Sequence, residues 1–180
     1  MRRISKFAVA LTAVSFLGCS NMSKKSDQKA AEKAEASKMI KADVMGADGV
    51  LGEVTLTQES DGVKVAFMVR NLPKDATLAS HIHENNVCTP PDFKSAGSHY
   101  NPKHVKHGAP DAKIHHLGDL GNFQTDKNGV LKAEKVFKFL SLDPNSENFI
   151  GGRALIIHEK KDQFTQPVGN AGGRLGCAVL

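Results

Sequence analysis

The sequence predicts an all-β domain, and three observations support this prediction. Short runs that alternate apolar with polar or small residues recur along residues 39–180, and glycine or asparagine turns separate them. No stretch of that region carries the apolar stripe of an amphipathic helix. Aromatic residues make up only 6% of the chain, which indicates an aliphatic core. Short alternating strands joined by tight turns favour an antiparallel sandwich or barrel.

The N-terminus has the layout of an export signal. Arg2, Arg3 and Lys6 precede an apolar run over residues 7–18, which ends at Cys19. This run is shorter than the roughly 20 residues that a membrane-spanning helix needs, so residues 1–18 are predicted to be a signal peptide. Residues 16–19 also resemble a bacterial lipobox, which implies that Cys19 carries lipid and becomes the mature N-terminus.

Residues 19–38 are predicted to be the lipidated cysteine followed by a flexible polar tether. The stretch after Cys19 is rich in Lys, Ala, Glu and Ser and has no glycine, proline or aromatic residue, so it has little to bury. We therefore expect an exported protein in the periplasm or cell envelope, anchored to a membrane as a lipoprotein. Residues 39–180 would form the single folded domain.

The net charge of +5 lies outside this folded domain. The signal contributes three basic residues, and the tether has five lysines against three acidic residues. Residues 39–180 hold sixteen of each sign and are formally neutral. Because nucleic-acid binding needs a basic surface, the composition argues against a nucleic-acid partner. It also argues against a disordered chain and a polytopic membrane protein.

If Cys19 carries lipid, Cys88 and Cys177 remain as an even pair in an exported chain. An oxidising compartment favours a disulfide between them. Two buried thiols are the alternative that the sequence leaves open at this point.

Alternation predicts strands in five places along the domain, over residues 50–57, 63–69, 77–84, 130–139 and 153–158. Turn residues at 60–62, 71–73 and 126–129 separate them. By contrast, residues 84–122 are rich in Pro, Gly and His and show almost no alternation. A loop of that length in a compact domain is usually functional.

All eight histidines lie between residues 81 and 158, and seven of them lie within residues 81–116. His81 and His83 would share one face of a strand, so both imidazoles could reach one ion. With His158 and one more imidazole they would form an all-nitrogen site that suits copper. Three further histidines and a carboxylate would form a closed tetrahedral set that suits zinc, namely His99, His107, His116 and Asp119.

The segments around these ligands resemble the successive motifs of copper–zinc superoxide dismutases, in the family's order and spacing. They are residues 81–84, 95–102, 107–110, 116–122, 158–160 and 169–177. The short stretch 162–167 resembles the bacterial periplasmic branch of the family. The resemblance implies a Greek-key β-sandwich or flattened barrel with long metal-binding and active-site loops.

The resemblance also implies the site, with one copper and one zinc per subunit. Copper would be bound by His81, His83, His99 and His158, and zinc by His99, His107, His116 and Asp119. His99 would bridge the two ions, and Asp162 would hydrogen-bond His81 and His107. Arg174 would attract and orient the substrate, with His99 and Arg174 as the catalytic residues. Cys88 and Cys177 would form the disulfide that ties the loop to the barrel.

The implied activity is the disproportionation of superoxide to dioxygen and hydrogen peroxide through alternating Cu(II) and Cu(I), which would protect the cell envelope from oxidative damage. The alternative is a non-catalytic copper carrier or chaperone of the same fold. Such relatives typically lose a copper ligand or the substrate arginine, and this chain keeps both. A zinc hydrolase would need an open zinc position, which the three-histidine, one-aspartate set lacks. Both a homodimer and a monomer fit the sequence.

Three features depart from the implied pattern. Leu78-Ala79-Ser80 replaces the triplet that usually precedes the first copper ligands, so we expect different packing around the copper site. His104 and His115 match no ligand position, and we expect them to be solvated loop residues.

Overall fold

A computed structural model describes residues 38–180 of the chain. The signal predicted over residues 1–18, the lipid site at Cys19 and the tether as far as residue 37 lie outside the described residues. The described part contains one three-residue 3-10 helix at Lys94–Ala96 and eight strands. The strands are β1 (Met39–Gly46), β2 (Gly49–Glu59), β3 (Gly62–Val69), β4 (Thr77–His83), β5 (Asp119–Gln124), β6 (Leu131–Phe137), β7 (Ala154–His158) and β8 (Arg174–Val179).

The strands form one antiparallel sheet in the order β5-β4-β7-β8-β1-β2-β3-β6. Hairpins join β1, β2 and β3, whereas the β3–β4 and β6–β7 connections cross to the other half of the sheet in the Greek-key manner. The edge strands β5 and β6 follow one another in the chain, and the sheet curls until it is a nearly closed barrel. The all-β Greek-key prediction is confirmed.

Alternation along the strands places the apolar core inside the barrel. In β3, Val63, Val65, Phe67 and Val69 are buried in turn, while the residues between them are only half-buried. The ring centroid of Phe67 lies 4.7 Å from that of Phe123 on β5, so the core joins the two halves of the sheet. Within residues 38–180, no helix is long and apolar enough to cross a membrane.

Strands β4 and β7 are buried on both faces. Leu155 and Ile157 point into the barrel core, while Ile156 between them packs outward. A long loop covers that outer face and buries Phe93 and Ala96 against Ile156. The loop is tied down by the Cys88–Cys177 disulfide, whose Cα atoms are 5.7 Å apart, which confirms the predicted pairing.

Some predicted boundaries were wrong. The loop expected over residues 84–122 ends earlier, because residues 119–122 belong to β5. Polar Asp119 and the positive-φ Gly121 conceal the alternation of that strand. The strand expected over 130–139 is the shorter β6, and those expected over 77–84 and 153–158 lose one residue each. Strands β1 and β8 were not anticipated.

Candidate metal centre

The outer face of β4 and β7 supplies the first three side chains of the site. His81 and His83 alternate with Ile82, which points into the core, so both imidazoles leave the barrel on the same side. His158 ends β7 next to them. Opposite His81 lies Asp119, because β5 carries an extra residue at this point and the register shifts between Ser80 and His81. The remaining ligand candidates come from the covering loop.

Four imidazoles converge in one half of the site. The Nε2 atoms of His83 and His158 lie 3.4 Å apart, and the rings of His81 and His99 stack with centroids 3.9 Å apart. Each of these four histidines offers a ring nitrogen, and the four atoms lie within 4.8 Å of one another. These are the residues expected to bind copper.

The other half of the site gathers ring nitrogens around Asp119. Its Oδ1 lies 3.1 Å from His99 Nδ1 and 3.4 Å from His116 Nδ1, and its Oδ2 lies 3.0 Å from His107 Nδ1. Backbone amides of Gly108 and His116 also donate to Oδ2, which fixes the carboxylate. These are the residues expected to bind zinc, and His99 contributes to both halves.

Asp162 links the two halves of the site by hydrogen bonds to one histidine in each. Its Oδ2 accepts a hydrogen bond from His81 Nε2 at 2.8 Å, and its Oδ1 accepts one from His107 Nε2 at 3.0 Å. Asn122 holds the Asp162 backbone through two hydrogen bonds. Because each of these two histidines has its Nε2 engaged, the Nδ1 atom is the one left to bind a metal.

Burial keeps three of the histidines neutral. It lowers the pKa of His83 to about 2, of His158 to about 3 and of His99 to about 4. For His99, the neighbouring Asp119 opposes this effect without overcoming it. A neutral imidazole presents a lone pair, which is the form that binds a metal.

His107 behaves in the opposite way. Burial alone would lower its pKa, but hydrogen bonds to Asp119 and Asp162 outweigh burial and raise the pKa to about 9. The same bonds hold the pKa of both carboxyl groups well below the usual range, although burial would raise them. The two buried carboxylates need a positive charge beside them, and without a metal the protonated His107 supplies it. A bound metal ion would displace that proton and supply the positive charge instead.

The donor set fits the two metals that the family implies. His81 Nδ1 is buried and has no hydrogen-bond partner among residues 38–180, although Nε2 of the same ring is bonded. The facing Nε2 atoms of His83 and His158, 3.4 Å apart, are close enough to bind one cation together. Four nitrogens suit copper, and three nitrogens with one carboxylate suit zinc.

Arg174 borders the copper half. Its guanidinium donates to the carbonyl oxygens of Phe93 at 2.6 Å and of Gly97 at 2.8 Å. The cavity beside it is lined by His83, His99 and His158 and by Val168 and residues 170–172 of the last loop. The Gly97 carbonyl also accepts a hydrogen bond from His83 Nδ1 at 2.9 Å, so one oxygen holds both a ligand candidate and the arginine. A small anion in this cavity would meet the guanidinium and the histidines together.

The two unassigned histidines lie outside the cluster. His104 is exposed, as expected. His115 is not a solvated residue, because it is half-buried, packs 4.4 Å from the Phe139 ring and bonds the carbonyl of His116 through Nδ1 at 2.7 Å. Leu78, Ala79 and Ser80 are all buried, and the Ser80 hydroxyl donates to the Ile156 carbonyl.

Several groups that hold the site could not be recognised from residue types. The carbonyls of Phe93 and Gly97 are backbone groups, which carry no residue-type signal. Gln166 clamps the His107 backbone from both sides through its side-chain amide, and Asn122 does the same for Asp162. A polar amide next to a ligand motif is the only sequence signal that could have pointed to these two.

Comparisons with known proteins agree with this geometry. Residues 50–180 match the family model described as copper/zinc superoxide dismutase. Superoxide dismutase [Cu-Zn] 1 from Aquifex aeolicus is 40% identical over 144 residues, which cover 77% of this chain and 85% of that protein. A superoxide dismutase [Cu-Zn] from Cryptococcus neoformans is 38% identical over 158 residues, with 79% and 97% covered. The crystal structure of a double mutant of a SOD-like protein from Bacillus subtilis superimposes with a TM-score of 0.74 at 34% identity, covering 78% of this chain and 95% of that one.

Proposed function

The chain belongs to the copper/zinc superoxide dismutase family, and on that premise we propose that it catalyses the disproportionation of superoxide. Two superoxide anions and two protons become dioxygen and hydrogen peroxide. The observation that carries the proposal is the convergence of the seven ligand candidates beside a cavity that Arg174 borders, with His116 joined to the others through its contacts to Asp119 and His99. The cofactors are copper and zinc.

We assign the copper ligands as His81, His83, His99 and His158, and the zinc ligands as His99, His107, His116 and Asp119. When bound, copper supplies one-electron chemistry between Cu(II) and Cu(I), and zinc supplies a fixed positive charge without redox chemistry. Asp162 orients the rings of His81 and His107 through their Nε2 atoms, which leaves Nδ1 of each ring as the atom that would bind a metal.

The chain's own residues handle the anion and its protons. Arg174 attracts superoxide into the cavity and orients it by hydrogen bonds, because its charge lies beside His83 and His158. Nδ1 of His99 faces Asp119, so Nε2 is the atom that takes up and returns a proton. One superoxide gives up an electron and leaves as dioxygen. The second accepts an electron, one proton from His99 Nε2 and one from solvent, and leaves as hydrogen peroxide.

A non-catalytic copper carrier of the same fold is not favoured. Such a protein needs a metal site but no group that guides an anion to it. In this chain Arg174 lines the cavity and is held there by two carbonyls, which is the arrangement that guidance of an anion requires.

The test is to purify the protein, measure bound copper and zinc, and assay superoxide consumption. We expect one copper and one zinc per chain and a rate far above the spontaneous reaction. A protein that holds both metals in full and does not accelerate the reaction would refute the enzymatic function and favour the carrier.

We further propose that the protein is exported and anchored by lipid at Cys19, where it protects the cell envelope from superoxide. The basic start, the apolar run over residues 7–18 and the cysteine that follows support this proposal. A relative named extracellular superoxide dismutase, from Drosophila melanogaster, is 35% identical over 140 residues. Replacing Cys19→Ser should release the protein from membranes into the soluble fraction. Continued membrane association of that variant would contradict lipid attachment at this residue.

A further inference from the structure

The position of Arg174 depends on a residue to which the sequence motifs give no role. Phe93 lies in the disulfide loop, which we define as residues 88–98. Its backbone is left-handed, with φ of 52°, and its side chain is fully buried. The ring belongs to a small outer cluster that also contains Ala96, Ile156 and Cys177. A bulky residue rarely adopts positive φ, so packing of the ring must hold this conformation.

The left-handed backbone determines where the Phe93 carbonyl points. The Phe93 amide donates to the Thr89 carbonyl, and its own carbonyl receives the amide of Ala96 at 3.1 Å. The same oxygen accepts a hydrogen bond from Arg174 Nη1 at 2.6 Å, the shorter of the arginine's two carbonyl contacts. Since the other contact is Gly97, the disulfide loop supplies both acceptors that orient the guanidinium.

We propose that Phe93 is a positioning residue for substrate guidance, because its buried ring fixes the backbone carbonyl that aims Arg174 at the cavity. Phe93 is absent from the described residues that line that cavity, so it acts through Arg174 and not on the substrate. The inference rests on the proposed function only in that Arg174 needs an anion to guide. Binding of an anion that is not a substrate tests it separately.

The experiment compares Phe93→Ala, Phe93→Gly and Phe93→Leu in the metal-loaded protein. The readouts are the affinity for azide, followed by the optical spectrum of copper, and kcat/KM for superoxide at low and high ionic strength. Loss of the ring should lower both azide affinity and kcat/KM by about three- to tenfold at low salt and flatten the salt dependence. Phe93→Leu should recover most of the loss, because it refills the buried space. Phe93→Gly should behave like Phe93→Ala, because glycine permits the backbone angle but removes the anchor.

A double-mutant cycle separates positioning from loop stability. In an Arg174→Ala background, Phe93→Ala should have no further effect on azide affinity, because the group it positions is gone. Phe137→Ala, in the barrel core on β6, provides the matched loss of a buried ring away from the loop. It should lower the unfolding temperature and leave azide affinity unchanged.

Three results would overturn the proposal. One is additive effects of Phe93→Ala and Arg174→Ala, and another is normal azide affinity in Phe93→Gly. The third is an equal loss of azide affinity in Phe137→Ala. If Phe93→Ala fails to fold, Phe93→Leu takes its place in the cycle with Arg174→Ala. Any loss of azide affinity in Phe93→Leu must then disappear in the Arg174→Ala background. If the wild-type protein binds azide normally but does not consume superoxide, the proposed function fails and the positioning role stands.

Discussion

At the scale of single residues, the site is organised by how each imidazole uses its two nitrogens. His83 donates from Nδ1 to the Gly97 carbonyl and presents Nε2 to the centre, whereas His81 and His107 donate from Nε2 to Asp162. Each outer partner therefore selects the ring nitrogen that is free to bind a metal. One carboxylate serves two rings, so its position decides the geometry of both halves.

Gly169 is required for that position of Asp162. It has φ of +79°, and a Cβ atom there would overlap Oδ1 of Asp162 and crowd Nε2 of His107. We expect Gly169→Ala to displace the carboxylate and weaken the retention of zinc by about 10- to 100-fold, the range typical of lost outer partners. The measurement is zinc release to a chelator. Gly152→Ala is the control, because Gly152 has a similar φ of +70° and nothing within 4 Å of the added atom. Equal zinc loss in both variants would show that backbone strain alone is responsible.

The metal-free protein should lose stability in mild acid. Burial lowers the pKa of His83 to about 2, of His158 to about 3 and of His99 to about 4, while the unfolded chain takes up protons near pH 6.5. The contribution of these three histidines to the free energy of unfolding is therefore fully present above pH 6.5. It falls below that pH, by about 1.4 kcal/mol per histidine at pH 5.5. His107, with its pKa raised to about 9, opposes this, because its contribution is complete below pH 6.5 and lost above pH 9.

The loss from the three neutral histidines exceeds the gain from His107. The free energy of unfolding of the metal-free protein should therefore fall by about 2–3 kcal/mol between pH 7.5 and 5.5. Urea unfolding of the metal-free protein at the two pH values measures it. The metal-loaded protein should change less over the same range, because bound metals exclude the protons. Greater stability of the metal-free protein at pH 5.5 would show that the three histidines are not held neutral.

Side-chain groups of the site can be predicted from the sequence, whereas backbone groups cannot. Imidazole and carboxylate ligands are visible as residue types, so the H-x-H pair and the set ending at Asp119 stand out in the amino-acid sequence alone. The carbonyls of Phe93 and Gly97 are present in every residue and give no signal. Their role depends on a buried ring and a left-handed backbone, which only the folded loop reveals.

At the scale of elements, β7 separates two layers of packing. Ile157 belongs to the barrel core, whereas Ile156 faces outward and packs under the disulfide loop. The loop therefore rests on its own small apolar cluster, and we expect its order to depend on that cluster more than on the barrel interior.

A matched pair on β7 tests this separation. Ile157→Ala and Ile156→Ala remove the same atoms from fully buried positions, so each should cost about 2–5 kcal/mol of local packing. We expect Ile157→Ala to lower the global free energy of unfolding. Ile156→Ala should instead expose the hydrogen-bonded amides of the loop, those of Phe93, Ala96 and Gly97, to hydrogen exchange before the barrel opens. Should the two variants give the same exchange pattern, loop and barrel would form one cooperative unit.

The unanticipated strands show where alternation fails as a guide. In β1, Val44 is buried in the core, but Met39 and Met45 are apolar residues in the opposite phase, so the pattern is mixed. In β8, Cys177 packs in the outer cluster beneath the loop while Ala178 faces the core. β8 is covered on both faces over residues 176–178 and loses its period of two there, whereas β3, with one half-exposed face, displays that period cleanly.

At the scale of the whole molecule, the Greek-key order sets the electrostatics of the site. It places β4, β7 and β8 side by side, so His83, His158 and Arg174 meet although about 90 residues separate the first from the last. The domain around them holds equal numbers of basic and acidic residues. Net charge therefore gives no attraction for an anion, so guidance depends on how the charges are distributed, and Arg174 is the charged side chain that lines the cavity.

Two substitutions with the same change in net charge separate the local field from the global charge. Arg174→Glu should slow superoxide consumption at low ionic strength by about tenfold or more and reverse the sign of its salt dependence. Arg70→Glu is the matched control. This exposed residue follows β3, which β1 and β2 separate from β8, so the rate should stay within about twofold of the wild type. Copper and zinc contents should be the same in all three proteins. A comparable slowing by Arg70→Glu would mean that superoxide responds to net charge, and that Arg174 has no special part in guiding it.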